Sequence, residues 1–395
     1  MKIQRITDRE RMYIDEVLAE EFRSSKGSMM TSRLEKAFAE KFDSNYAIAF
    51  CNGTATLHIA LEAAGVGKGD EVIVPPLTMS STTLCVLEAN ATPVFADVDP
   101  ETFVIDPKSI EKCITPRTKA IIPVSLFGLA PDFDAINAIA KKHNLTVIED
   151  DAQCFLGKYK GKTVGTLGDI ASFSFQSSKH MTCGEGGMLI TQSEELADRI
   201  RKLACLGYAS VGAKKGKISK TDIQDPNYSR HISLGWNYRM SEICSAVAMG
   251  QLDHLDELVE MRIKSANIFM DAVKGTKLLT FQKTPADCVN SYWATVAKLR
   301  EDVSWYAFRD KFLELGGDGV YAAWKLAYQE PLFLEKNFVG RDEFFTEGAH
   351  YENGICPVAE SLQPRLLQFK TNYFDTDEAE AQAEIFAKTV RFFEG

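Results

Sequence analysis

The stretch Ala171-Ser-Phe-Ser-Phe-Gln-Ser-Ser-Lys179-His-Met-Thr-Cys-Gly-Glu-Gly-Gly-Met188 decides how this chain is read. It opens as a short apolar strand, passes into small polar residues around Lys179, and returns through Gly184-Glu-Gly-Gly187 to a second strand, Met188-Leu-Ile-Thr191. Such a strand brings an amine and several hydroxyls to one edge of a sheet, and glycine permits the backbone angles that the return needs. An amine in a partly desolvated pocket has a lowered pKa and can attack a carbonyl to form a Schiff base. Taken alone, Lys179 also fits an ordinary surface lysine in a polar loop.

A second element lies upstream, Leu145-Thr-Val-Ile-Glu149-Asp150-Asp151-Ala152-Gln153. A buried strand that ends in carboxylates is what a pyridine nitrogen needs to stay protonated. Pyridoxal phosphate requires both an aldehyde-binding lysine and an acidic partner for its ring nitrogen.

Four motifs, Ile148-Glu-Asp-Asp-Ala-Gln153, Phe173-Ser-Phe-Gln-Ser-Ser-Lys179, Gly184-Glu-Gly-Gly187 and Gly235-Trp-Asn-Tyr-Arg-Met-Ser241, occur in this order. Together they resemble the sugar aminotransferases of the DegT/StrS type, and the similarity runs from about Arg33 to Arg365. The resemblance implies a pyridoxal-phosphate enzyme of fold type I, the α/β fold of aspartate aminotransferase. Residues 1–272 would form a large cofactor-binding domain, with N-terminal helices and a mostly parallel mixed sheet flanked by helices. Residues 273–395 would form a smaller C-terminal α/β domain.

Composition agrees and excludes other classes. A chain of 395 residues can bury a large core, and two domains are its natural division. The net charge of -10 and pI near 5.3 argue against a broad nucleic-acid or acidic-membrane surface. No apolar run approaches the ~18 residues of a membrane span, and the N-terminus has no apolar signal core. A cytoplasmic protein is expected. The nine cysteines are odd in number and contain no Cys-x-x-Cys pair, and the six histidines show no ligand spacing. Neither a metal site nor a disulfide framework is expected.

Residues 8–22 and 32–42 have helical periodicity, the second with Leu34, Phe38 and Phe42 on one stripe, and Ser24–Ser28 reads as a flexible connection. The strand Tyr46–Cys51 runs straight into Asn52-Gly53-Thr54-Ala55-Thr56 and a helix. A turn at a helix N-terminus binds anions, because free N–H groups and the helix dipole meet there; a simple N-cap is the plainer reading. Gly65-Val-Gly-Lys-Gly69 imitates a dinucleotide fingerprint but follows a helix and precedes a strand, the reverse of the required order. Strand-like runs then alternate with helical ones, which predicts a parallel sheet with ligands beyond its strand exits. Residues 207–232 read as a long loop, and a helical pattern follows from Ser241 to about Ala272. In the last third, 292–299 reads as a strand, with 303–315 and 376–393 as helices.

The remaining assignments are what the resemblance implies. Lys179 holds pyridoxal phosphate, and Asp150, rather than Asp151, pairs with its ring nitrogen. Gln153 lies beside the ring hydroxyl, and Met79 covers the ring where the family usually has an aromatic residue. Thr54, Ala55 and Ser174 contact the phosphate, and Asn237 does so from the neighbouring subunit of a homodimer. Lys26, His180, Arg239 and Tyr321 are candidate substrate contacts; His180 also suits proton transfer, with an incidental loop histidine as the plainer reading. A lysine at 179, where dehydratase relatives carry histidine, favours transamination. The donor is L-glutamate or L-glutamine, and the acceptor a keto-sugar, expected to be nucleotide-linked, for surface polysaccharide or secondary metabolism. The segment Gly316–Tyr328 lacks the histidines of the family's His-Tyr-x-Pro-Leu-His-like stretch. That leaves room for a keto-cyclitol or a phosphorylated ketose such as dihydroxyacetone phosphate. A non-catalytic regulator that keeps the fold is the remaining alternative.

Overall fold

The computed structural model describes residues 1–22, 29–341 and 350–395. The apolar runs of the first half become strands β1 (Tyr46–Phe50), β2 (Glu71–Val74), β3 (Thr92–Phe95), β4 (Thr118–Ile121) and β5 (Thr146–Asp150). A small hairpin follows, β6 (Lys158–Tyr159) and β7 (Lys162–Thr163), and then β8 (Ile170–Ser174) and β9 (Gly187–Thr191). Seven of them form one sheet in the order β1-β9-β8-β5-β4-β2-β3. Strands β3, β2, β4, β5 and β8 are parallel, whereas β9 runs antiparallel to both β8 and β1. Every residue of β2, β8 and β9 is buried. A strand buried on both faces needs cover on both sides, which explains runs that are apolar throughout rather than alternating.

The helix Gly53–Ala63 covers one face and contributes Leu57, Ile59 and Leu61 to the main core. The helix Met30–Lys41 covers the other. Its stripe of Leu34, Phe38 and Phe42 is fully buried against Phe155, Phe173 and Phe175. The ring of Phe42 lies 4.8 Å from that of Phe173. Beside this cluster Glu35 accepts from Ala49 N at 2.9 Å and from both Nη groups of Arg201 at 2.6 and 2.7 Å, which ties the helix to β1.

The expected single helix from Ser241 is two helices, Glu242–Asp253 and Leu255–Ala272, because His254 leaves helical geometry at φ −130° and ψ 24°. Its Nδ1–H donates to Gly250 O at 2.8 Å and steadies the break. Beyond Ala272 come β10 (Leu279–Phe281), β11 (Cys288–Val289), β12 (Ala294–Leu299), β13 (Tyr321–Ala322) and β14 (Leu366–Lys370). Four make a second, antiparallel sheet in the order β10-β12-β14-β13. The helices Trp305–Glu314 and Thr376–Glu394 supply Phe308, Phe312 and Phe386 to its core.

The two sheets are closely tied. Strand β11 pairs with β6 of the first half, and Ala323, Leu326, Tyr328, Phe333 and Leu362 join the core of the seven-stranded sheet. The predicted loop over 207–232 contains one short helix, Lys220–Gln224. Ser24–Ser28 and the candidate Lys26 lie outside the described residues. Among the described residues no helix is long and apolar enough to cross a membrane, and no three metal-ligating side chains cluster. All nine cysteines are free.

Candidate active site

Strands β5 and β8 run side by side in the same direction, with Asp150 opposite Ser172, so Asp150 and Ser174 emerge at the same end of the sheet. The helix Gly53–Ala63 begins at that end too. A cavity of about 710 Å³ opens there, and Gly53, Thr54, Asp150, Ser174 and Lys179 are among the residues that line it.

The first turn of the helix forms one wall. Asn52 caps it, its Oδ1 accepting from Ala55 N at 2.8 Å, so the Ala55 N–H already has a partner within the chain. Gly53 lies so near β8 that a Cβ built on it would be 2.8 Å from Ser174 Cβ, and only glycine fits without a shift. Hydroxyls gather beside the turn, where Thr54 Oγ1 and Ser81 Oγ are 2.9 Å apart and Ser174 Oγ accepts from Gln176 N at 3.3 Å. Hydroxyls at a helix N-terminus suit a phosphate.

Lys179 is 8% exposed, and its Nζ lies 4.9 Å from the centre of the Trp293 ring. Burial pushes the amine down to about 8, against the opposing pull of Asp150 and Glu185 and with some help from Arg262. A substantial neutral fraction therefore exists near neutral pH, as a nucleophilic amine requires.

Three successive acids at the end of β5 have three different partners. Glu149 accepts from Gly165 N at 2.9 Å, Leu167 N at 2.7 Å and Gly168 N at 2.6 Å, and so holds the loop before β8. Asp150 lines the cavity; its Oδ2 accepts from Thr82 Oγ1 at 2.8 Å and its Oδ1 from Ala152 N at 3.2 Å. Burial raises its pKa, while these two bonds and Lys179 pull it back. Asp151 accepts from Ser125 Oγ at 2.6 Å and leaves Oδ2 without a partner. Burial first and Glu149 second push its pKa well up. Of these three acids only Asp150 lines the cavity, and a cation there would offset the cost of burying its charge.

Gln153 also lines the cavity, with its Oε1 accepting from Phe127 N at 2.9 Å. Met79 stands on the wall and is 44% exposed. Other candidates lie elsewhere. His180 is buried behind the lysine, its Nε2–H donating to Ser291 O at 2.9 Å and its ring 5.5 Å from Phe155. Burial holds it well below the usual imidazole pKa, and it does not line the cavity. This packing among core aromatics favours the reading of His180 as an incidental histidine over a proton-transfer or substrate role. Tyr321 faces an adjoining chamber of about 440 Å³, bounded also by Ser178, Arg262, Trp293 and Trp324. Asn237 and Arg239 are both exposed outside the cavity, Arg239 Nε donating to Asn237 Oδ1 at 2.8 Å.

The structure adds residues that the sequence reading passed over. Two of the chain's four tryptophans, Trp293 and Trp324, lie in the cavity wall. Their rings are 5.6 Å apart and nearly parallel, and Phe127 extends the stack at 6.0 Å. Ser81, Thr82 and Glu88 were missed as well, all three on the helix Ser81–Glu88, which has no distinctive pattern, and Glu185 lay within the Gly184–Gly187 motif without a role assigned to it. A second threonine at helical spacing, Thr78 and Thr82, was the one available signal for that group.

A buried amine, a carboxylate sharing its cavity and a glycine-started helix facing both are what pyridoxal phosphate needs, and on this sheet they define a pyridoxal-phosphate-dependent aminotransferase of fold type I. The chain belongs to the DegT/DnrJ/EryC1/StrS aminotransferase family, whose pattern matches residues 4–383. It is similar to the GDP-perosamine synthase of Escherichia coli O157:H7, 38% identical over 288 residues that span 73% of this chain and 74% of that one. Among solved structures, an aminotransferase from Psychrobacter cryohalolentis is 30% identical with a TM-score of 0.85, covering 98% of each chain. The structure of 3-amino-5-hydroxybenzoic acid synthase gives a TM-score of 0.86 at 26% identity, covering 99% of this chain and 98% of that one.

Proposed function

We propose that this enzyme moves the amino group of L-glutamate, or of L-glutamine, to a nucleotide-linked keto-sugar destined for polysaccharide or a secondary metabolite. The observation that carries this reading is that Lys179 and Asp150 line one cavity, the amine pushed down to about 8. The name of the Escherichia coli relative, which ends in a GDP-linked amino sugar, supports the acceptor class.

Bound pyridoxal phosphate supplies an electron sink for the carbon that loses its proton. The chain's own residues do the rest. Gly53, Thr54, Ser81 and Ser174 hold the phosphate at the helix N-terminus. Asp150, fixed by Thr82, keeps a proton on the ring nitrogen. Lys179 Nζ would carry the proton away from the α-carbon of the donor and, in the second half of the cycle, deliver one to the acceptor carbon that gains the amine. Trp293 and Trp324 wall the amine from water. Asn237, exposed and bonded to Arg239, would contact the phosphate of a partner's site in a homodimer, and Arg239 would meet an anionic group of the substrate. Nine free cysteines are consistent with a reducing, cytoplasmic setting.

A keto-cyclitol acceptor is the second reading. Within Gly316–Tyr328, Tyr328 is fully buried with its hydroxyl donating to Glu360 Oε1 at 2.5 Å, so that end of the segment cannot serve a sugar hydroxyl. The deciding experiment incubates the holoenzyme with glutamate and a panel of nucleotide keto-sugars, keto-cyclitols and triose phosphates, and follows 2-oxoglutarate. Turnover with a nucleotide keto-sugar is the expected result. A protein that stays colourless with added cofactor defeats the reading altogether.

A further inference from the structure

The turn that carries Lys179 is held from behind by two arginines from distant segments. Arg262, on the helix Leu255–Ala272, is only 4% exposed. Its Nη2 donates to Ser178 O at 2.8 Å and Lys179 O at 3.0 Å, and its Nη1 to Trp293 O at 3.0 Å and Thr371 Oγ1 at 3.1 Å. Arg5 donates to the carbonyl before these, Ser177 O. Trp293 Nε1 gives Ser178 O a second bond at 3.0 Å. Three consecutive carbonyls of the lysine turn thus accept from guanidinium groups.

A planar fork of fixed donors can satisfy such a set, and an ammonium on a flexible stem cannot. All four acceptors of Arg262 are neutral oxygens, so its charge is solvated by dipoles and not cancelled by a carboxylate. Burying a charge in this way is expensive when a hydrogen-bonding neutral group could tie the same strands. Its retention points to use of the charge itself.

We propose that Arg262 is a positioning residue for transamination, clamping the Lys179 backbone to the Trp293 strand and setting a fixed positive charge behind the amine. The inference rests on the reading of Lys179 as the cofactor-binding lysine. The charged groups facing Lys179 are Asp150 from β5 and Glu185 from the following turn, which favour its protonated form, and Arg262, which opposes it. Arg262 itself faces Arg5. Removing its charge leaves the two carboxylates unopposed, and the lysine nitrogen keeps its proton to higher pH.

The test compares holoenzyme of wild type, Arg262→Met and Arg262→Lys. Cofactor absorbance is titrated against pH, and kcat and KM for the amino donor are measured. In Arg262→Met the midpoint is expected to rise by roughly one pH unit, with kcat falling at least ten-fold and KM little changed. Arg262→Lys, which keeps the charge and loses the fork, should hold the midpoint near wild type while kcat falls. A coloured Arg262→Met protein with wild-type midpoint and kcat overturns the inference. If that variant does not fold, Arg262→Lys decides, and wild-type kcat there overturns it equally. A colourless wild type would remove the cofactor reading and this inference together, whereas a coloured wild type with indifferent variants removes this inference alone.

Discussion

The buried Thr82 hydroxyl donates to Asp150 Oδ2 across 2.8 Å, from behind the wall of the cavity that Asp150 and Lys179 both line. This bond and the one from Ala152 N work against burial, which raises the Asp150 pKa and disfavours the charge a cationic ring needs. Replacing Thr82 by Val removes one of the two and leaves the shape of the wall. Because hydrogen bonds to charged groups contribute about 1.5–3 kcal/mol, kcat/KM should fall by roughly ten-fold or more, and steady-state kinetics at pH 7.5 would show it.

Asp150→Asn tests the carboxylate directly. The amide keeps the hydrogen-bonding shape and loses the charge, so the fold and cofactor binding should survive while kcat drops by about 10²–10³-fold, the scale of a lost electrostatic contact to reacting charge. Activity within two-fold of wild type would rule out the assigned partner.

Lys179 carries a stability cost of known sign. Its folded value of about 8 lies below the usual 10.5, so between the two the unfolded chain binds the extra proton. The penalty is complete below pH 8 and disappears as pH rises towards the ordinary lysine value. Cofactor-free Lys179→Met should therefore be more stable than wild type by about 3 kcal/mol at pH 7, a gain that fades by about pH 10. Urea melts at both pH values check it.

For Asp151 the sign reverses. Its folded pKa is raised by burial and by Glu149, so the native state holds the proton longer than the unfolded chain. Stability from this group is full below the ordinary Asp pKa and is lost as pH rises through the raised one. Asp151→Asn cannot lose a proton and should gain on wild type in thermal melts as pH rises above the ordinary Asp pKa. Its kcat should match wild type, since Asp151 does not line the cavity.

Glu35→Ala should destabilise the chain without touching chemistry. It would leave the Arg201 guanidinium, 7% exposed, and the Ala49 N–H without their acceptor. Breaking a buried pair from one side costs about 3–5 kcal/mol, and the midpoint of urea unfolding should fall accordingly.

Much of this site lay in local sequence. The strand–lysine–glycine stretch and the acids closing β5 are contiguous, and each strand exit carries its functional residue within a few positions of its apolar run. The resemblance favoured Asp150 over Asp151, and of the two only Asp150 lines the cavity, with Ala152 and Gln153 beside it. What was hidden depends on distant segments folding back. Trp293 and Trp324 arrive with the second sheet, and in sequence they resemble any core aromatic. Arg262 reads as one more charge on a helix, and only its four neutral acceptors distinguish it. For His180 two readings stood open because adjacency to Lys179 suggested chemistry, yet neighbouring residues on a tight turn point apart, and its ring ends in the phenylalanine layer. The break at His254 escaped notice because one residue can leave the helical path without disturbing the apolar periodicity on either side.

The reversed strand β9 has one more effect. Ser174 and Gly187 are cross-strand partners, and beyond them Phe175 N still reaches Gly186 O at 2.8 Å. A parallel return would have required a helical crossover to the far end of the sheet. Here the chain comes straight back, and the reactive amine stands on two hydrogen-bonded legs where a lone strand exit would give it one. Stiffness at the point of attack is thus supplied by topology before any side chain contributes.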